Sequence, residues 1–105
     1  MRNLKACLET FRNLDAEMQA QTMVTFLVVA ERDPEPIHMG DLATRVGLAQ
    51  SSVSRNVASL GAWSRHKRLG LKLLQCKEDL MDRRRKLVSL TPSGRRLKET
   101  LQALM

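Results

Sequence analysis

The stretch GDLATRVGLAQSSVSRNVASL, residues 40–60, decides the fold. Its first half is a short helical pattern in which Leu42, Ala43 and Val46 share one side. Gly47 follows at the place where a left-handed residue ends such a helix, and Leu48 then turns inward. A second helix begins about three residues later. Its buried stripe is Val53, Val57 and Leu60, at i, i+4 and i+7, and on a helical wheel Ser51, Ser52, Arg55 and Ser59 fall on the other side. Serine hydroxyls compete for backbone groups, so serine is a mediocre choice inside a helix. A face that had only to keep the helix soluble is better served by Glu, Lys, Gln and Ala. Short donors around one arginine suit a surface that something must approach closely. Two short helices joined by a tight glycine turn form a helix-turn-helix, whose second helix enters the major groove of DNA.

Working outward towards the C-terminus, the period changes. The segment 69–79 reads as a strand, and KLVSL at 86–90 alternates, with Val88 and Leu90 on one face and Leu87 and Ser89 on the other. Between them lies LMDRRR, so two strands flank a tip that holds Arg83, Arg84, Arg85 and Lys86. A basic hairpin directly after a helix-turn-helix is a wing. Thr91 then caps a last helix with Pro92 at its first position, and Leu97, Leu101 and Leu104 carry the apolar stripe. Towards the N-terminus, Asn3 is read as the cap of a first helix with Leu4, Cys7, Leu8, Phe11 and Leu14 on one face. A second helical run starts near Asp15 and passes through Met23, Phe26, Leu27 and Ala30. The run RDPEP at 32–36 ends it, because two prolines one residue apart cannot continue a helix, and Ile37, His38 and Met39 follow as a short extended piece. The expected fold is mainly α with a small β-wing, a winged helix-turn-helix in one domain over residues 1–105.

Composition agrees. The chain has 105 residues, 43% of them apolar, which suits one soluble domain. Its net charge is +7, and the sequence pI is about 10.3. Residues 1–41 hold four Lys or Arg against seven acids; the remaining fourteen basic residues face only Glu78, Asp79, Asp82 and Glu99 in residues 42–105. The positive field belongs to the half that contains the helix-turn-helix and the wing, and it points to a polyanion, of which nucleic acid is the commonest inside cells. The apolar run at 23–30 is too short to span a bilayer, and the first residues lack the order of a signal peptide, so a cytoplasmic protein with Cys7 and Cys76 as free thiols is expected. His38, His66 and Cys76 lack the close pairing of metal motifs. Trp63 is read as an anchor at the junction between helix and wing. No glycine-rich phosphate loop, paired carboxylates or activated nucleophile suggests an enzyme or a cofactor.

DLATRVGLAQSSVSRNVASL followed by DRRRKLVSLTPSGRRL resembles the multiple antibiotic resistance regulator (MarR) family of winged-helix transcription factors, over roughly residues 18–98. The stretch from Asp82 to Gly94 is the most specific part of the likeness. What the resemblance implies is a homodimer on a pseudo-palindromic operator, with Ser51, Ser52, Ser54 and Arg55 at the major groove, Arg83 or Arg84 in a flanking minor groove, and Asp82 orienting an arginine of the wing. The full set of expected DNA contacts adds Gln50, Ser59, Arg65, Lys67, Arg68, Arg85 and Lys86. Dimerisation is expected of the terminal helices, 1–17 and 92–105, through Leu4, Leu8, Phe11, Leu14, Leu101 and Leu104. The sequence departs from the family pattern at Met81, where many members have the first arginine of a repeated Asp-x-Arg. It departs again in GAWSRHKRLGLKLL, which is several residues longer than the usual connection. The chain is also short beside the family's long terminal helices, so an effector pocket is not expected. A repressor is the favoured reading; a replication-initiation or partition protein, or a winged helix that contacts protein or RNA, remains open on the sequence alone.

Overall fold

In the computed structural model, which describes residues 1–61 and 70–105, the chain runs α1 (Arg2–Leu14), α2 (Ala20–Arg32), β1 (Ile37–His38), α3 (Met39–Val46), α4 (Gln50–Leu60), β2 (Leu74–Glu78), β3 (Lys86–Leu90) and α5 (Pro92–Leu104). The three strands form one antiparallel sheet in the order β1-β3-β2. This is the winged-helix arrangement expected from the sequence.

The helix boundaries at the N-terminal end differ from the reading above. Helix α1 starts at Arg2 with Met1 as its cap, and Asn3 caps nothing, because the backbone ladder is already closed by Lys5 N–H on the Met1 carbonyl at 3.0 Å. Helix α2 starts at Ala20, five residues later than Asp15. Asp15 instead holds a turn, its carboxylate accepting from the Glu17 N–H at 3.0 Å and its carbonyl from the Met18 N–H at 3.1 Å.

The core forms where α2, α3 and α4 meet the sheet, with Phe26, Leu42, Val53, Leu60 and Val88 completely enclosed. Ile37 and Val88 pair across β1 and β3, and Leu74 and Leu90 across β2 and β3, so the inward faces of the three strands close the core from below. Helix α1 lies against α5 and contributes Phe11, whose ring meets that of Phe26 edge to face with centroids 5.9 Å apart.

Three local features set the turn of the helix-turn-helix and the two junctions of the wing. Gly47 ends α3 in the left-handed region at φ 81°, with its N–H on the Ala43 carbonyl, as the sequence indicates. From Leu71 the chain is stitched to the end of α4. Leu71, Lys72 and Leu73 donate to the carbonyls of Ser59, Gly61 and Leu60, the last at 2.7 Å, which satisfies groups that a helix end leaves free. Lys72 takes φ 58° to do so, and for this reason the strand expected from residue 69 starts only at Leu74. Thr91 then joins the wing to α5. Its hydroxyl donates to the Lys72 carbonyl at 2.6 Å and accepts from the Gly94 N–H at 3.0 Å, so the cap expected at Thr91 is present. Gly94 is required there by contact rather than by torsion, since a β-carbon on it would stand 2.1 Å from the Leu73 carbonyl oxygen.

Candidate nucleic-acid interface

Helix α4 buries Val53, Val57 and Leu60 and leaves Gln50, Ser51, Ser54 and Arg55 exposed, with Ser52 and Ser59 half-buried at the margins. The Arg55 guanidinium donates to the Ser52 hydroxyl at 3.3 Å, one turn back, and the Ser59 hydroxyl donates to the Asn56 carbonyl of the same helix. The outer face is therefore a row of small hydroxyls with one long cation lying along it. Such a face can seat deeply in a groove and donate to phosphates or to base edges.

The fourth member of the buried stripe is polar. Asn56 is enclosed between α4 and α2, where its amide N–H donates to the Thr25 hydroxyl at 3.2 Å and its oxygen accepts from the Thr22 hydroxyl at 3.3 Å. The two threonines are three residues apart on α2 and present their hydroxyls one above the other. Every polar atom in this cluster has a partner. Asn56 was legible as an inward residue, since it stands three after Val53 and four before Leu60.

The wing presents Arg83, Arg84, Arg85 and Lys86, all exposed, at the turn between β2 and β3. Asp82 accepts from both the backbone N–H and the Nε of Arg84, at 3.1 and 3.3 Å, so of the wing arginines it is Arg84 that Asp82 orients. Arg84 is 92% exposed. The tip is closed at its root by a residue that the sequence reading passed over. The Asp79 N–H donates to the Arg85 carbonyl, and the Asp79 carboxylate accepts from the Met81 N–H at 2.9 Å and from His38 Nε2 at 2.8 Å. The bond from His38, together with the Met81 N–H, holds the Asp79 carboxyl below the ordinary aspartate range.

Helix α4 and the wing are brought side by side. Between them lies a polar cleft of about 400 Å³, lined by Gln50 and Ser54 of α4, by Arg84, Arg85 and Lys86 of the wing, and by His38, Met39 and Gly40 at the start of α3. A second cleft, between α4 and β2, contains Cys76; burial there pushes its thiol up, against an opposing pull from the Lys86 ammonium. Both cysteines are free. Arg65, Lys67 and Arg68, named above as DNA contacts, lie outside the described residues, as do Trp63 and His66.

The residues expected at a dimer interface divide. Leu4, Leu8 and Leu14 are exposed on α1, and Leu104 is half-buried. Phe11 and Leu101 are not surface residues: both are enclosed in the chain's own core, at 2% and 4% exposure, because α1 folds back onto α5 and α2 within one chain. Around the exposed leucines lies an entirely apolar hollow of about 550 Å³, whose rim includes Leu4, Leu8, Val24, Leu27 and Met105. Among the described residues no helix is long and apolar enough to cross a membrane, and no three His, Cys, Asp or Glu side chains form a metal cluster.

The sequence matches no family model, and no curated protein matches it either. Solved structures do match. MepR of Staphylococcus aureus in complex with DNA has a TM-score of 0.76 at 22% identity, over 96% of this chain and 74% of MepR. The PcaV transcriptional regulator of Streptomyces coelicolor, bound to its natural ligand, has a TM-score of 0.65 at 25% identity, over 83% of this chain and 55% of PcaV. BpsR of Bordetella bronchiseptica, whose DNA binding is regulated by 6-hydroxynicotinic acid, has a TM-score of 0.63 at 28% identity, over 98% of this chain and 72% of BpsR. The chain has the fold of the MarR-like winged helix-turn-helix regulators. It spans little more than half the length of PcaV.

Proposed function

We propose that the protein is a sequence-specific regulator of transcription that binds double-stranded DNA as a homodimer and represses by occluding a promoter. The observation that carries this reading is the juxtaposition of Gln50 and Ser54, on the exposed face of α4, with Arg84, Arg85 and Lys86 of the wing around one polar cleft. A helix that fits a major groove and a cationic hairpin beside it match one duplex, the helix reading base edges and the wing reaching backbone or a narrow minor groove. PcaV is a transcriptional regulator, MepR is bound to DNA, and the DNA binding of BpsR is regulated by a small molecule, which supports the same reading. In it, Gln50, Ser51, Ser52, Ser54, Arg55 and Ser59 face the major groove, and Arg83, Arg84, Arg85 and Lys86 face the flanks. Arg65, Lys67 and Arg68 add phosphate contacts, and the site of action is the cytoplasm.

The homodimer rests on the apolar face of α1. Exposed leucines on a terminal helix, beside Val24 and Leu27 of α2, suit burial across a two-fold axis.

The test is a titration of the protein against random and selected duplexes at several salt concentrations. Each phosphate neutralised contributes about −0.9 to the slope of log affinity against log salt, so a steep slope and enrichment of a pseudo-palindrome are expected. A flat salt dependence overturns the reading.

A further inference from the structure

The wing is held to the rest of the molecule over a short length only. Strand β1 has two residues, and it pairs with β3 at Val88 and Leu87 alone. Among the described residues no third strand lies beside the hairpin from Lys86 outward, and a two-stranded hairpin by itself is marginally stable in water. Yet the arginine tip must stand at a fixed angle to α4 if both are to meet one duplex.

Among the described residues, the His38 side chain fastens the tip from outside the hairpin. His38 sits where β1 passes into α3, its backbone fixed on one side by pairing with Leu87 and on the other by its place as the residue that caps α3. Its Nε2 donates to Asp79 at 2.8 Å, across 41 residues of sequence. The Asp79 carboxylate also takes the Met81 N–H, and the Asp79 backbone N–H donates to the Arg85 carbonyl, so one residue, through its side chain and its backbone, connects the root of α3 to both limbs of the tip.

Solvent exposure separates this pair from the other ion pair of the wing. The His38 and Asp79 side chains are 27% and 16% exposed, whereas Arg84 and Asp82 are 92% and 36% exposed. Exposed pairs contribute little to holding a structure, and a partly enclosed, charge-assisted bond of 2.8 Å contributes more. The other nitrogen of the ring, Nδ1, faces Asp41 in the first turn of α3 at 3.7 Å. That is too long for a direct hydrogen bond, but it sets a second negative charge on the far side of the ring. Arg84, Arg85 and Lys86 line the same cleft as the imidazole. The ring is thus held between a carboxylate of the helix-turn-helix and a carboxylate of the wing, and it donates to the latter.

We propose that His38 is a positioning residue for the wing, setting through Asp79 the angle of the arginine tip relative to α4. The consequence for affinity rests on the DNA-binding reading above; the anchoring itself does not.

Two measurements test it. Amide hydrogen exchange in the free protein needs no DNA: His38→Ala should speed exchange of the Asp79 and Met81 amides by at least roughly tenfold while the α2 amides keep their rates. Unchanged rates at those two amides overturn the anchoring. The second is a double-mutant cycle on duplex binding. His38→Ala should weaken binding roughly tenfold, Arg84→Ala should weaken it on its own account, and His38→Ala added to Arg84→Ala should cost less than about twofold more, because the residue acts through the wing. His38→Gln, whose amide nitrogen reaches about where Nε2 stands, should recover most of the affinity. Full additivity in the cycle overturns the proposal while leaving DNA binding intact. A wild-type protein without salt-dependent duplex binding overturns the DNA reading and the predicted affinity loss, and leaves exchange to decide the anchoring.

Discussion

Asn56 of α4 and Thr25 of α2 are joined inside the molecule by an amide-to-hydroxyl hydrogen bond of 3.2 Å, and Thr22 meets the same side chain from one turn away at 3.3 Å. A polar residue in a buried helical stripe tolerates little rotation, because a turn of the helix about its axis separates the amide from both hydroxyls. The pair therefore fixes which residues of α4 face outward. Replacing Asn56 by Ala leaves the two threonine hydroxyls to their own helix and opens a small void. The expected loss is about 1–3 kcal/mol of stability, read as a shift of the urea midpoint at unchanged slope. A loss within about 0.5 kcal/mol, the range of ordinary surface substitutions, would show that the network holds nothing.

Arg55 and Arg84 should fail in different ways. Arg55 lies along the exposed face of α4, held to Ser52, where a bidentate contact to a guanine is open to it. Arg55→Ala should cost about 1–3 kcal/mol on the selected duplex and relax the preference at one position of each half-site. Arg84, extended from the wing, should upon replacement by Ala weaken binding to most sequences, or lower the preference only for A·T-rich flanks with a narrow minor groove. Equal losses of Arg55→Ala on selected and random duplex would assign Arg55 to a phosphate.

The acid limit of the wing follows from Asp79. The His38 donor and the Met81 N–H both favour its ionised form, so its carboxyl is lowered in the folded protein relative to the unfolded chain. A group lowered by folding contributes stability that is complete above its unfolded value, about 3.9 for aspartate, and is lost as the pH falls through the lower folded value. Above about pH 5 the Asp79 carboxylate should thus stay ionised. In a carbon-detected titration its midpoint should fall below about 3.9, and His38→Ala should move it back upward. A midpoint at or above the ordinary value in the wild type would contradict the hydrogen bonding described here.

The legible and the hidden parts of this fold differ in range. Local rules placed Gly47, the Thr91-Pro92 cap and the alternation of Lys86–Leu90, because each is settled within a few residues by torsion, capping or pleat. The late start of β2 was hidden, since it depends on Lys72 taking a left-handed turn to reach carbonyls at the end of α4. The wing root was hidden for the same reason: His38 and Asp79 are far apart in sequence, and each alone looks like a surface polar residue. Phe11 shows the limit of reading stripes. It shares a face with Leu4, Leu8 and Leu14, but an amphipathic pattern does not say whether its apolar face meets the same chain or another. The answer lies in the ring of Phe26.

That division of the α1 stripe sharpens what a disrupted dimer should look like. Leu4 and Leu8 are exposed and border the apolar hollow with Val24, Leu27 and Met105, whereas Phe11 is enclosed against Phe26. Removing the Phe11 ring should therefore act on the monomer: Phe11→Ala is expected to cost about 3–5 kcal/mol, the usual loss for a core phenylalanine, and to lower the unfolding midpoint at any protein concentration. Leu4→Glu with Leu8→Glu should act on association instead. Two carboxylates placed on the exposed face leave the core untouched, so circular dichroism should keep the helical signal. Sedimentation at micromolar concentration should then change from dimer to monomer. Operator affinity should fall with it, because two half-sites are no longer bound by one linked pair of recognition helices. A double variant that stays dimeric puts the interface elsewhere. One that unfolds shows that the outer leucines belong to the core after all, and one that becomes monomeric with undiminished operator affinity removes the two-fold arrangement from the DNA-binding reading.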